Sequence, residues 1–227
     1  LALAADIVDD LERVRIAEEN RLRALSDPAL FGLDEAHPDI ARLTAIITAL
    51  AKVEHDAVLN LQRIVRRHPL GEWAKGQRGV GEKTVARLLA TMGGDPYINL
   101  ATGEVRTVSQ LWAYCGHGDP GRRIRKGMTQ EELFACGNPI AKKRVWLVAT
   151  SCLKAGGDYA DVYRARREKT AERVHAAPCV RCGPSGKPAA EGSPWSAAHQ
   201  HADALRIVGK EFLRDLWLEA KRIHTTT

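Results

Sequence analysis

The residues best suited to chemistry lie in the last quarter of the chain. Cys179 and Cys182 stand in Cys179-Val180-Arg181-Cys182-Gly183, a spacing that lets both thiolates face one ion while the glycine eases the turn. Sixteen residues separate Cys182 from His199, and His201 follows two positions on. Cys179, Cys182, His199 and His201 therefore form a candidate Cys2His2 set for a structural Zn2+, four protein ligands leaving no open position for water. Residues two apart on a regular helix face nearly opposite ways. Either His199 precedes the last helix, or the fourth ligand is His175, four residues before Cys179. Cys115 and His117 are spaced for a thiol–imidazole pair, but a glycine-rich loop there reads better as buried packing, and Cys136 and Cys152 read as small apolar fillers.

A second chemistry is carried by backbone. Gln77 to Gly93 reads QRGVGEKTVARLLATMG. Gly79-Val80-Gly81 is a tight turn, and Val85, Leu88, Leu89 and Met92 fall on one face of the helix it enters. A glycine turn opening a helix aims unpaired N–H groups and a partial positive charge at one spot, which is an anion site. Lys83 and Arg87 are expected on the wet side of that helix, with Thr84 beside them. These residues resemble the helix-hairpin-helix motif of DNA-repair and recombination proteins, whose hairpin amides hold DNA phosphates without reading sequence.

The elements that must position these groups are mostly helical. Residues 3–25 carry Ile7, Leu11, Val14, Leu22 and Leu25 on an expected inner face. Residues 39–67 repeat Ile40, Leu43, Ile47, Leu50, Ala57, Leu61 and Ile64 as a heptad seam that Glu54 interrupts. Together they predict a helical hairpin or coiled-coil arm over 1–68, suited to homo-oligomerisation. Residues 69–174 follow as a helix-hairpin-helix DNA-binding domain. Within it, the helix from Ile140 to Lys154 places Ile140, Val145, Leu147, Val148 and Cys152 toward the core. Residues 175–227 form a smaller unit, in which a Pro/Gly-rich loop leads to a helix over about 197–222 carrying Leu205, Val208, Phe212 and Leu216, with Leu213 off the stripe.

Charge and composition narrow the partner. The 227 residues carry a net charge of +6, which suits a polyanion. Gly121 to Arg144 is the most basic stretch, and Arg122, Arg123, Arg125 and Lys126 are candidate backbone contacts extending a phosphate track. Aromatic residues are only 5%, which argues against a surface built for base stacking. No apolar run is long enough for a membrane span. The odd count of five cysteines fits a reducing, cytoplasmic setting with one metal site rather than a disulfide framework. The chain opens on Leu1 instead of Met, so residues are expected to precede it.

From Ile40 onward the order is heptad helix, RGVGEKTVARLLATMGGDP, LWAYCGHGDP, a basic loop, CGNPIAKKRVWLVATSC and an Arg-rich helix. Over roughly residues 40–170 this resembles the C-terminal half of a bacterial insertion-sequence transposase family, in which a RuvC-like nuclease domain and a helix-hairpin-helix domain are joined by a coiled coil and guided by RNA. The family's acidic quartet is missing here. The loop that carries its serine nucleophile reads DPGRRIRKGM, with Thr129 as the nearest hydroxyl and no glycine after it. The resemblance therefore implies a mostly α, zinc-stapled protein that keeps the DNA grip and lacks the chemistry. Duplex or branched DNA is the expected partner and RNA a second candidate. A fragment of an active transposase and a protein-interaction adaptor are the rival readings.

Overall fold

The computed structural model describes residues 1–119, 124–183 and 187–226. It divides into two compact units, Leu1–His68 and Pro69–Thr227.

The first unit is a pair of packed helices, α1 (Ala2–Ser26) and α2 (Pro38–Arg66). On α2 the buried positions Ile40, Leu43 and Leu61 lie on the heptad seam expected from sequence, while at its end Val65 is buried in place of the expected Ile64, which is half-buried. Glu54 also lies on the seam and is 7% exposed. It is held there by Arg15 of α1, whose Nε donates to Glu54 Oε2 at 2.6 Å while Nη1 donates to Glu19 at 2.6 Å. Those two carboxylates, Glu54 first, raise the Arg15 pKa above its ordinary value. The apparent interruption of the seam is thus an ion pair crossing the two helices. On the first half of α1 the inner face is displaced by one position from the expected one, while Leu22, expected inside, is half-buried. Ala5 and Val8 are buried, whereas Ile7 and Val14 are 45% and 43% exposed. A seam through Val8, Arg15 and Leu22 keeps the seven-residue repeat that pairing with α2 demands.

The second unit gathers around α9 (Ala197–Thr226) and α7 (Pro139–Ala155). Leu205, Val208, Phe212, Leu213 and Leu216 of α9 are all buried. The arc is wider than one stripe because α5 (Val108–Tyr114), α7 and α8 (Asp158–Lys169) all pack on this helix. Burying each such side chain contributes about 1.5–3 kcal/mol. At Gly209 the packing is closest: an added Cβ would lie 2.7 Å from Val145 Cγ1 and 3.3 Å from His117 Cε1. The last helix, expected in a separate small unit, therefore runs through the centre of this one. Helix α7 buries Ala141, Arg144, Val145, Val148, Ala149 and Cys152, while Ile140 and Leu147 are 54% and 38% exposed, contrary to the core role expected of them. Asn138 caps its start by accepting from the Ile140 and Ala141 amides.

Five short elements complete the unit. Helix α3 (Gly71–Gly76) packs on α4 (Glu82–Thr91), and β1 (Ile98–Asn99) pairs antiparallel with β2 (Glu104–Val105) across the turn at Gly103. Helix α6 (Gln130–Ala135) starts at Thr129 with a capping box. The Thr129 hydroxyl accepts from the Glu132 amide and so serves as a helix cap. No helix among the described residues is long and apolar enough to cross a membrane.

Candidate metal centre and glycine hairpin

The chain between α8 and α9 doubles back on itself as an antiparallel ribbon. The Trp195 amide donates to Arg173 O, His175 N to Ser193 O and Gly192 N to His175 O. Cys179 and Ala189 exchange both main-chain bonds, at 2.9 and 2.8 Å. The pairing fixes His175 and Cys179 along one arm and delivers the chain to the first turn of α9, where His199 sits. Beyond Cys179 the chain turns so tightly that an added Cβ on Gly183 would meet the Lys187 carbonyl oxygen at 1.6 Å. Gly183 is therefore required by the approach of the returning strand.

This ribbon brings together His175, Cys179, Cys182 and His199, whose ligand atoms all lie within 4.8 Å of one another. His199 Nδ1 is 3.2 Å from Cys182 Sγ and 3.7 Å from Cys179 Sγ. His175 is 4% exposed, and its Nε2 is buried with no hydrogen-bond partner. A buried ring nitrogen without a partner is costly unless something absent from the protein's own atoms satisfies it. Burial pulls the Cys182 thiol upward. The Ser196 hydroxyl and amide, the Cys179 thiol and the Arg181 charge outweigh it and bring the group below its ordinary pKa. Two sulfurs and two imidazoles converging in this way could hold a metal ion.

His201 does not belong to this set. Both His199 and His201 lie inside α9, which begins at Ala197, so their side chains leave the helix on opposite sides. His201 Nδ1 instead meets the Tyr163 hydroxyl at 2.7 Å. The fourth position belongs to His175. Behind the site Trp195 stacks flat on His199, with ring centroids 4.1 Å apart and planes 6° from parallel, and the Arg173 guanidinium carbon lies 4.7 Å from the indole centroid. This stack fixes the plane of the His199 ring.

At the hairpin, Gly79 adopts φ +85°, and an added Cβ would sit 2.7 Å from Cys152 Cα and 2.9 Å from Ala155 Cβ. The first glycine is thus needed for its conformation and for the close approach to α7. Gly81 is the N-cap of α4, exposed and with no side-chain cap. Val85, Leu88, Leu89 and Met92 are buried, as their spacing predicts. Lys83, Thr84 and Arg87 are half-buried rather than fully wet. Lys83 and Arg87 also interact within the protein. Of the basic-loop candidates, Arg125 and Lys126 are exposed, and Arg122 and Arg123 lie outside the described residues.

Cys115 and His117 are both buried. Burial pushes the Cys115 thiol up to about 12, against the pull of Arg106, so it remains protonated and unreactive. Burial, with Lys142, Arg206 and Lys210 nearby, pushes His117 down to about 4.

Comparison with protein-family models, with curated proteins and with solved structures returned no match. Helix α6 was not expected, although Thr129-Gln130-Glu131-Glu132 announces it as a capping-box pattern. Of the two fourth ligands the spacing left open, His175 is the one brought to the site, because α9 begins before His199.

Proposed function

We propose that the chain is a DNA-binding protein that grips the phosphate backbone through a helix-hairpin-helix formed by α3, the 77–81 turn and α4, and that Zn2+ at His175, Cys179, Cys182 and His199 staples its second unit. The observation that carries the reading is the uncapped, exposed N-terminus of α4 at Gly81, set in a turn that Gly79 anchors against α7. Helix N-termini of this kind bind phosphate through main-chain N–H groups. Gly79, Val80 and Gly81 supply the turn, and Lys83, Thr84 and Arg87 flank it. Arg125 and Lys126 extend the positive surface.

The choice of zinc rests on donor type and spacing. Tetrahedral zinc, with Zn–S near 2.3 Å and Zn–N near 2.0–2.1 Å, holds sulfur and nitrogen ligands about 3.6 Å apart. The two Sγ–Nδ1 separations, 3.2 and 3.7 Å, bracket that value. When bound, the ion supplies cross-linking and no reaction, because all four positions belong to the protein. The arm is assigned to self-association through the apolar side chains that the α1–α2 pairing leaves outside, among them Leu3, Ile46 and Val53 at 74%, 46% and 53% exposure.

A titration of labelled duplex DNA tests the reading. Gly81→Glu places a carboxylate at the phosphate position without disturbing the fold, since φ is −77° and an added Cβ meets only Thr84 Oγ1 at 3.9 Å. Affinity is expected to fall at least about tenfold on every sequence, because a like charge opposes the phosphate at the helix N-terminus. Lys83→Ala and Arg87→Ala should each lower the salt slope by about one. Wild-type affinity in Gly81→Glu would remove the hairpin from the interface.

A further inference from the structure

A cleft of about 670 Å³ opens between α7 and the first half of α9. Its volume falls within the roughly 300–1,000 Å³ typical of small-ligand sites. One wall is a single stripe of α7, Pro139, Lys142, Lys143 and Trp146, at the spacing that puts residues on one helix face. The facing wall is a stripe of α9, His199, Ala202, Asp203 and Arg206, and the metal ribbon closes one end with Arg173, Arg181 and Trp195.

Three kinds of recognition meet there. The first is charge. Six cationic side chains, Lys142, Lys143, Arg166, Arg173, Arg181 and Arg206, face two carboxylates, Asp119 and Asp203. Asp203 is committed to Arg166 at 2.6 Å and Arg206 at 3.3 Å. Lys142 and Lys143 pair with no carboxylate among the described residues, so a concentrated positive field remains.

The second is a flat apolar surface. Trp146 is 50% exposed, whereas the Trp195 indole is already engaged by His199 and Arg173. The third is a neutral hydrogen-bonding group. His117 lines the cleft at 7% exposure, and both its ring nitrogens lack partners. Burial keeps it uncharged at neutral pH, and both nitrogens are themselves buried, so a small turn of the ring would bring one of them to the cleft as a single donor or acceptor. A ligand that answers all three is anionic at one end, planar and aromatic at the other, and carries polar atoms on the edge of the plane.

We propose that this cleft binds a nucleoside phosphate, either free or carried by an unpaired nucleic-acid strand, with Lys142 and Lys143 on the phosphate, Trp146 stacked on the base and His117 hydrogen-bonded to the base edge. Arg166 and Arg206, braced by Asp203, are positioning residues that hold the field. The metal ribbon contributes too, because Arg181 lies between the two cysteine ligands and is carried to the cleft by their loop. The site is independent of the hairpin, which takes backbone phosphates of a duplex.

The test is a fluorescence anisotropy titration of the metal-loaded full chain with a 5′-phosphorylated hexathymidylate labelled at its 3′ end, with thymidine 5′-monophosphate as competitor. Labelled duplex DNA is titrated in parallel against Gly81→Glu. The double variant Lys142→Ala, Lys143→Ala is expected to weaken the oligonucleotide at least about tenfold and to flatten its salt slope by about 0.7 per lost phosphate contact. Trp146→Ala should weaken it on the order of tenfold, and Trp146→Phe should restore most of that. All three positions lie on the open wall of the cleft, so the variants should fold, and duplex binding should persist in them. Displacement of the oligonucleotide by the mononucleotide assigns the cleft to free nucleotides. Strand binding that the mononucleotide does not displace assigns it to unpaired strands. The proposal is overturned if neither probe binds more tightly than about 1 mM, or if the lysine and tryptophan variants bind as wild type does. Loss of duplex binding in Gly81→Glu alone would bear only on the hairpin.

Discussion

At the hairpin, the groups proposed to meet an anion are main-chain amides supplied by a few consecutive residues. In the cleft they are side chains drawn from α7, α8, α9 and the metal ribbon. The hairpin depends on one conformation, fixed by Gly79 at φ +85° against Cys152. The cleft depends on tertiary assembly, because its α7 stripe and its α9 stripe face each other only after both helices have packed and the ribbon has closed. A backbone device of this kind tolerates changes of side chain and fails when its turn cannot form. A side-chain device tolerates local backbone change and fails when its walls separate. The two regions should therefore respond to different perturbations.

Removing the metal should separate them most. Chelation, or Cys182→Ser, releases the ribbon and the start of α9. Structural zinc sites of this ligand type hold their ion with apparent energies of roughly 10–16 kcal/mol in isolated fingers. Within a larger core the expected loss is several kcal/mol, seen as a lower thermal midpoint together with loss of oligonucleotide binding. Duplex binding at the hairpin should survive at temperatures where the rest of the unit stays folded. Metal content measured on the same sample checks that the ion has left.

Gly79→Ala is the reciprocal perturbation. The added methyl is disfavoured at positive φ and collides with main chain of α7. A destabilisation of about 2–4 kcal/mol in denaturant titration is expected, with duplex affinity reduced more than oligonucleotide affinity. Equal losses at both sites would show that the hairpin and cleft rise and fall as one structure.

A smaller effect comes from pH. His117 has a folded-state pKa of about 4, below its ordinary value. Between about pH 6.5 and 4 the unfolded chain binds the proton that the folded chain refuses. Stability is thus full above about 6.5 and declines as pH falls, by about 1.4 kcal/mol per unit at most. Lys142 of α7 and Arg206 and Lys210 of α9 face the ring and sustain the depression. Urea titrations at pH 7 and 5 check the slope, and His117→Gln should flatten it.

The smallest change concerns Glu82, an acidic residue in the first turn of α4. Its charge opposes an approaching phosphate, so Glu82→Gln should tighten duplex binding by about two- to threefold, leaving the oligonucleotide unaffected. Weaker duplex binding in that variant would mean that the carboxylate orders the turn rather than repelling the ligand.

The same contrast explains what could be read before the fold was known. The α2 seam, the apolar face of α4 and the start of α7 at Asn138-Pro139 announce themselves over short windows, and the structure carries each where its spacing places it. Cys179, Cys182 and His199 were legible for the same reason, since two of them share a turn. His175 was ambiguous because the ribbon that brings it home is made of main-chain bonds between residues about twenty positions apart. The cleft left no linear trace. A low overall aromatic content argued against base stacking, yet it says nothing about where a single indole stands, and Trp146 stands on the open wall of the cleft. Glu54 was visible as an oddity in the seam, but its partner Arg15 is 39 residues away.

Helix α9 spans thirty residues, about 45 Å at the ordinary rise. One extremity bears a metal-site imidazole, His199. Near the other, Trp217 Nε1 donates to Arg106 O at 2.8 Å, and His224 Nε2 meets Asp95 Oδ2 at 2.5 Å, just past the end of α4. A rod pinned at both extremities behaves as a lever. A tilt of about five degrees at the metal site would swing the far tip by roughly 4 Å over that length, enough to break the Asp95 contact, so metal occupancy would be reported mechanically at the Asp95 corner of the unit.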